Sequence, residues 1–545
     1  MPQQTDKPPS IPSQSILPIE SVTTSVSSRL AWNTATKWLA SLVASAVAFY
    51  LVRFQSDHLG QEGFGAASLL TSVLILMLLC DAGLRSALGR HLAEQIARGD
   101  RERLNELINS ALAFVLVIGA VLAIACIVAA KPLVDAMNFA DSQRAQSVVL
   151  MRYYVSTALF LSFIAPIFAA LVEAHHRFDL VDFAHVVEVF VRLGLMVLAI
   201  GELGWGLNGW AFALLIAQLL LVSVNAAVAF RVCPTLVLHP RYVRFEAIRH
   251  TISLGGMVFL YQSVMQINVL TDPFVISHFL TSNGTAYYRP AQMAVTSAYP
   301  FVAGLSRQFK PLIAAFDADG KATAVREVLL RGTRLTILLS TPFCVVLTCF
   351  ATPIVQVWLK DGHEPTAWAL VTLALADVST HIRETQGFVM TGLNRVRYIT
   401  IVQTIGGLMT VMVGAVSVWW LFSCGWGYYS IVGVAAPAFV MGWVQTILIS
   451  AYVGQVTGLG ARRYLTDAFA RPLGVLLLAE LGGMTINFFF TPTTLIGLMA
   501  CAVATGMLCA ALGWTLGFDV VDRASLQRML KRLAERVRPA PPAAR

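Results

Sequence analysis

Charge is what this chain has least of. Only 13% of its 545 residues are Asp, Glu, Lys or Arg, about half the share of an average soluble domain, and that excludes a soluble enzyme. Nucleic-acid binding is excluded as well: the net charge is +9, but binders of that class concentrate basic clusters on polar segments. Reactive cysteine is missing too. The eight Cys lie in or beside apolar blocks with no C-x-x-C pair, and read as small core residues rather than metal or redox ligands. Gly320-Lys321, the only Gly-Lys pair, lacks the rest of a phosphate-binding loop, and there is no H-E-x-x-H or G-x-S-x-G. No cofactor and no enzymatic reaction are expected. Work must come from an ion gradient, from the substrate's own gradient or from a partner.

What the chain does have is apolar length: 57% of residues are hydrophobic and the mean hydropathy is +0.69. They fall in blocks of about 20, each able to cross about 30 Å of hydrocarbon as a helix. Fourteen spans are expected, near residues 32–54, 64–84, 107–129, 148–172, 180–201, 205–230, 252–276, 286–305, 333–358, 366–392, 398–422, 428–453, 468–490 and 494–517. Connecting segments on one side carry 30 of the 39 Lys and Arg, which by the positive-inside rule puts both termini in the cytoplasm. The first 30 residues are rich in Pro, Ser, Thr and Gln without an apolar core, so no cleavable signal is expected there. Near the other end, Leu526, Met529, Leu530, Leu533 and Val537 repeat at helical spacing opposite Arg523, Arg528, Lys531, Arg532 and Arg536. That pattern reads as an amphipathic helix on the anionic inner leaflet, or as a solvated basic tail.

An offset of 221 residues superimposes Leu59 on Leu280, Gly63 on Gly284, Gly83-Leu84 on Gly304-Leu305, Gly99 on Gly320, Pro132 on Pro353 and Gly204-Trp205-Gly206 on Gly425-Trp426-Gly427. Gly and Pro resist replacement where backbones bend or approach closely, so this register marks a duplication. Six spans per half give parallel repeats about an axis normal to the membrane, a plan that places a substrate site between the halves. The fold class expected is an all-α polytopic membrane protein of two parallel-repeat six-helix bundles plus two C-terminal helices. Its divisions are a disordered cytoplasmic tail (1–30), a first bundle (31–231), a cytoplasmic linker (232–251), a second bundle (252–453), an extra helix pair (454–518) and a basic amphipathic tail (519–545).

Several stretches occur in one order: Leu59-Gly60-x-x-Gly63-Phe64-Gly65, Asp81-Ala82-Gly83-Leu84-x-x-Ala87-Leu88-x-Arg90, Asp272-x-x-x-Ile276, Tyr287-Tyr288 and Thr391-Gly392-Leu393-Asn394-Arg395. Over about residues 30–453 the chain resembles the polysaccharide transporter branch of the multidrug, oligosaccharidyl-lipid and polysaccharide (MATE-like) flippase superfamily, which includes the O-antigen and exopolysaccharide repeat-unit flippases. Fourteen spans are also similar to the lipid II flippase branch. The resemblance implies alternating-access flipping of an undecaprenyl-diphosphate-linked oligosaccharide between the leaflets of a bacterial cytoplasmic membrane. Its implied partners are that lipid-linked oligosaccharide, the phospholipid bilayer, and a polysaccharide polymerase and glycosyltransferases.

An ionisable side chain at the bilayer centre costs about 2.5–3.5 kcal/mol on insertion scales, so each one is a functional candidate. In the fifth span Asp182, His185, Glu188 and Arg192 recur on one face, with Glu188 four before Arg192. This is either a neutralised pair that orders packing or a site where Arg192 binds an anion while Glu188 takes a proton. In the tenth span Asp377, His381 and Glu384 share a face suited to a proton relay, or to structural pairing. The seventh span carries Gln262, Gln266, Asn268 and Asp272 before Pro273; a kink at Pro273 beside Asp272 would make a cation site, and a boundary carboxylate is the plainer reading. Lys37 and Arg289 lie on helices that line the central cavity by the resemblance. With Arg192, and with Arg383 turned away from the tenth-span acids, they are the candidate cations for a diphosphate or glycan; snorkelling to an interface is the alternative for the first two. Glu480, outside the repeat, has no evident partner. A drug or metabolite cation antiporter on the same fold predicts an acidic cavity, and a membrane glycan polymerase or ligase predicts a long outward loop that the sequence lacks.

Overall fold

The computed structural model describes residues 19–78, 82–307, 309–519 and 523, with side chains from residue 36 onward apart from 76–78, 82–87, 245, 247–270, 305 and 311. Asp81, the side chains of Gln262, Gln266 and Asn268, and the amphipathic pattern from Leu526 to Val537 lie outside the described residues. Every described element is helical, as a chain with almost no polar surface to spare requires: in hydrocarbon a backbone must satisfy its own hydrogen bonds. The helices are α1 (Ile19–Leu78), α2 (Ala82–Arg98), α3 (Arg101–Ala136), α4 (Asp141–Ala174), α5 (Phe178–Glu202) and α6 (Gly206–Val232). They continue with α7 (Phe245–Thr296), α8 (Tyr299–Ser306), α9 (Phe309–Ala318), α10 (Ala322–Cys349), α11 (Ala351–Leu359), α12 (Glu364–Gly392) and α13 (Arg397–Ser423). The last three are α14 (Gly427–Val456), α15 (Ala461–Phe489) and α16 (Leu495–Gly517).

Ten helical segments among the described residues are long and apolar enough to cross a membrane. The fourteen expected spans differ from this number for local reasons. The first two spans are the two helices that meet in α1 at Gly60 (φ 66, ψ 179), where the helical backbone breaks, and they count as one segment; the seventh and eighth, which meet in α7 at Thr281 (φ 58, ψ −179), are not among the ten. The tenth, α12, carries Asp377, Arg383 and Glu384 within its length. α1 begins at Ile19, inside the stretch expected to be an irregular tail. The expected kink at Pro273 is corrected: the backbone stays helical there and breaks eight residues later, at Thr281.

The two bends are themselves 221 residues apart, and the same register recurs in the turns. Gly99 and Gly320 have φ of 71 and 69, and Gly204 and Gly206 correspond to Gly425 and Gly427, all with positive φ. Two buried apolar cores follow: one built from residues 47–236, the other chiefly from residues 276–509. The repeat is thus a repeat of backbone geometry as well as of sequence. Beyond it, α15 packs along α10 and carries α16 against it. Glu480 on α15 does have partners: its carboxylate accepts from Thr348 Oγ1 (2.8 Å), Cys349 Sγ (3.1 Å) and Cys344 Sγ (3.6 Å) on α10.

Helix ends alternate between two faces. On the face opposite the bends, the segment joining the bundles is clipped to α3 by two asparagines. Asn105 exchanges bonds with Thr235 O (3.2 Å) and Val237 N (2.8 Å), and Asn109 with Val237 O (2.8 Å) and His239 N (2.8 Å). Ser110 Oγ accepts from Arg244 N at 2.8 Å.

Candidate functional site

On the bend face the bundles are latched together. Arg53 on α1 donates to Val357 O (3.1 Å), Trp358 Nε1 donates to Phe49 O (2.8 Å), and Lys360 Nζ lies 3.0 Å from Asp57 Oδ2. Nearby, Ser282 N donates to Asn138 O (3.2 Å), Ala140 N to Ser282 Oγ (3.1 Å), and Thr285 Oγ1 to Gly65 O (3.1 Å). Gly65 is required at that crossing, because a Cβ on it would sit 2.2 Å from Ser282 O.

Behind the latch lies a cavity of about 840 Å³ between the bundles, lined by α1, α4, α5 and α6 of the first and by Met293, Thr296, Ser297 and Pro300 of the second. Small residues on α1, among them Ser41, Ala44, Ser45 and Ala48, form one wall and leave room for a large solute. Lys37 and Arg192 line it, together with Asp182 and His185. Glu188 does not: it is 6% exposed and lies behind the wall, 3.4 Å from Arg192 Nε and 3.5 Å from His185 Nδ1. The Glu188–Arg192 pair expected from their spacing therefore forms, with the cation toward the cavity and the carboxylate behind it.

A second cavity, of about 120 Å³, lies within the second bundle and brings Asp272, Asp377 and Arg383 together with Tyr288, Gln403 and Gln445. Asp272 accepts from Tyr288 Oη at 2.6 Å. Arg383 is not at the central cavity. Its guanidinium donates to Gly442 O (2.6 Å), Ser379 Oγ (2.9 Å), Thr380 Oγ1 (3.0 Å) and Thr446 Oγ1 (3.2 Å). Arg289 lines neither cavity and donates to Gln292 Oε1 at 2.7 Å. Thr296 borders both cavities, so one turn of α7 separates them.

From the small cavity a polar file leads toward the face opposite the latch. Asp377 Oδ2 is 2.9 Å from His381 Nε2; the His381 ring stacks on Tyr299 at 6.1 Å between centroids. Tyr299 donates to Glu384, and Arg307 donates to Tyr299 Oη at 3.5 Å. The i, i+4 pair was visible in the sequence. Tyr299, Gln403 and Gln445 were not singled out, although amides within apolar helices were an available signal: Gln403 is 3% exposed and neither its Oε1 nor its Nε2 has a hydrogen-bond partner.

Two helical bundles enclosing a polar cavity, latched at one face, have the architecture of a membrane transporter. The family model described as lipid II flippase MurJ matches residues 59–376, and the chain belongs to that family, whose members are transporters rather than enzymes. Solved structures agree on the fold. An inward-facing multidrug resistance MATE family transporter of the MOP superfamily superimposes with a TM-score of 0.65 at 16% identity, covering 77% of this chain and 95% of its own. A lipid II flippase MurJ in an inward closed conformation gives 0.64 at 15%, covering 89% and 99%. A Vibrio cholerae MATE transporter gives 0.57 at 16%, covering 80% and 98%. No curated protein sequence matches. The resemblance read from the motifs thus holds at the level of the superfamily, and the family is that of the lipid II flippases. The chain is a multi-pass membrane protein.

Proposed function

We propose that this protein flips a polyprenyl-diphosphate-linked glycan, either lipid II or an O-antigen or exopolysaccharide repeat unit, from the inner to the outer leaflet of a bacterial cytoplasmic membrane. The bend face is then the outward face, and both termini are cytoplasmic. The observation that carries the reading is the central cavity of about 840 Å³ with Lys37 and Arg192 on its wall. Two cations on the wall of one cavity can hold a diphosphate, and the volume suits a large polar headgroup. Rocking of the bundles, with the latch released, exposes the same cavity outward. The lipid-linked glycan comes from membrane glycosyltransferases and passes to a polymerase.

Coupling to H⁺ or Na⁺ is assigned to the small cavity, where Asp272 and Asp377 face one void and Thr296 stands between it and the substrate. Occupancy there acts on the same turn of α7 that walls the central cavity, and the file from Asp377 through His381, Tyr299 and Glu384 gives protons a path. The antiporter reading predicts an acidic cavity. Here the lining cations Lys37 and Arg192 outnumber the single lining carboxylate, Asp182, and Glu188 is set back, so an anionic headgroup is favoured.

The test is translocation of a fluorescent polyprenyl-diphosphate glycan in reconstituted vesicles under imposed H⁺ and Na⁺ gradients. Wild type is expected to move the lipid with a dependence on one gradient, and Lys37→Ala and Arg192→Ala to lose at least about tenfold in rate. Asp272→Asn is expected to abolish the gradient dependence. Transport unaffected by loss of either cation would refute the diphosphate assignment, and a gradient response intact in Asp272→Asn would refute the coupling site.

A further inference from the structure

The central cavity carries a polar side chain that a charge-centred reading leaves unused. Asn225 on α6 is 3% exposed and lines that cavity. Its Nδ2 donates to Leu221 O at 3.0 Å, while its Oδ1 has no hydrogen-bond partner. A buried amide oxygen left without a donor costs about 1–3 kcal/mol, and Asn gives a helix nothing in return through propensity. Gln218, two turns earlier on the same face of α6, lines the cavity as well.

With one Nδ2 hydrogen bonded to Leu221 O, Asn225 offers a ligand an unpartnered acceptor that needs an incoming O–H or N–H, beside its one remaining N–H. Lys37 and Arg192, elsewhere on the wall, are donors only. One ligand that satisfies both sides has an anionic part and, within the same headgroup, a neutral part rich in hydrogen-bond donors. A diphosphate without a sugar provides the first and not the second. A cationic drug does not provide the first.

We propose that Asn225, supported by Gln218, is the subsite that reads the hydroxyl or acetamido N–H groups of the sugar next to the diphosphate, and so separates glycosylated carriers from bare ones. The proposal rests on the flippase reading above and deepens it. Asn225 is thereby a specificity-determining residue, and the comparison of glycosylated with bare lipid separates that role from a contact to the diphosphate.

The experiment uses the full-length protein in nanodiscs and two probes, a short-chain polyprenyl diphosphate bearing N-acetylglucosamine and the same polyprenyl diphosphate without sugar. Binding is read by native mass spectrometry. Wild type is expected to prefer the glycosylated lipid by about tenfold, the worth of one well-made buried bond. Asn225→Leu is expected to erase that preference and leave affinity for the bare lipid unchanged; Lys37→Ala weakens both lipids together. Asn225→Asp retains the acceptor and is expected to keep the preference. Because both probes carry the same diphosphate, its added charge cancels in the ratio, and this variant decides the matter if the leucine variant does not fold. Retention of the preference in a monodisperse Asn225→Leu protein overturns the proposal, as does equal weakening of both lipids by Asn225→Leu, or loss of the preference in Asn225→Asp. If wild type binds both lipids without preference, the sugar subsite alone fails; if it binds neither, the flippase reading fails with it.

Discussion

Substituting Gly65 by alanine tests whether the bend-face crossing holds the bundles together. The added Cβ would lie 2.2 Å from Ser282 O and 2.8 Å from its carbonyl carbon, whereas carbon and carbonyl oxygen rest at about 3.3–3.6 Å. About 1 Å of separation is therefore forced, and backbone on both sides leaves no flexible side chain to absorb it. The strained contact sits among three bonds between the bundles: Ser282 N to Asn138 O, Ala140 N to Ser282 Oγ and Thr285 Oγ1 to Gly65 O. At about 0.5–1.5 kcal/mol each, their loss weakens closure by about 1.5–4.5 kcal/mol, a shift of about ten- to a thousandfold in the closed-to-open ratio. Spin labels at Asp141 and Asp361, one on each bundle, read that ratio by pulsed EPR after removal of the exposed Cys424. Wild type is expected to show one short distance and Gly65→Ala a longer population. Gly194→Ala is the control, since a Cβ there meets nothing within 4 Å and gains about 1 kcal/mol of helix propensity. A distance distribution in Gly65→Ala indistinguishable from wild type would refute the reasoning.

Thr281 holds φ 58 with a β-branched side chain, a conformation that costs such residues about 1–3 kcal/mol; Thr281→Gly is expected to raise the thermal midpoint of the purified protein, and a lower midpoint would count against the strain. Thr348→Val removes the hydroxyl donor to Glu480 and is expected to cost about 1–3 kcal/mol, seen as a lower midpoint in detergent, while an unchanged one would show that the thiols suffice. Replacing Asn105 and Asn109 together by alanine removes four bonds to the linker and is expected to expose residues 234–243 to limited proteolysis; protection equal to wild type would argue that the clip is inert. Asp377→Asn removes the carboxylate 2.9 Å from His381 Nε2 and is expected to slow gradient-driven transport at least about tenfold without altering binding of the glycosylated lipid, and an effect on binding alone would remove Asp377 from the relay.

Span number, duplication and most of the polar residues were legible because each leaves a mark in the order of residues. The register of 221 was read from conserved-looking glycines, yet the second bend falls at Thr281, where the repeat has exchanged Gly60 for a residue that disfavours positive φ. No rule of composition finds such a site; the residue after it, Ser282, bonds to Asn138 and Ala140 of the first bundle. Pro273 invited a kink and received none, because a proline in a packed helix can be accommodated by its neighbours. The Asp377–His381 pair was readable as one helix face, but Tyr299 joins Glu384 from 85 residues away. Arg383 shares the small cavity with Asp377, and only the fold shows that its guanidinium bonds to Gly442 and Thr446 on α14. Arg289 looked like a cavity cation because its helix lines the cavity; its own register points it to Gln292.

The asparagine clip on α3 changes what the linker is. A segment bonded to α3 from Thr235 through His239, and held again at Arg244 by Ser110, is part of the first bundle's rigid body and does not act as a loose tether. Covalent continuity between the bundles then narrows to a joint just after Arg244, where α7 begins. On the proposed flippase cycle, rocking about such a joint has a fixed fulcrum: its lever is the length of α7 up to Thr281, so a small rotation at the linker end becomes a large displacement at the latch.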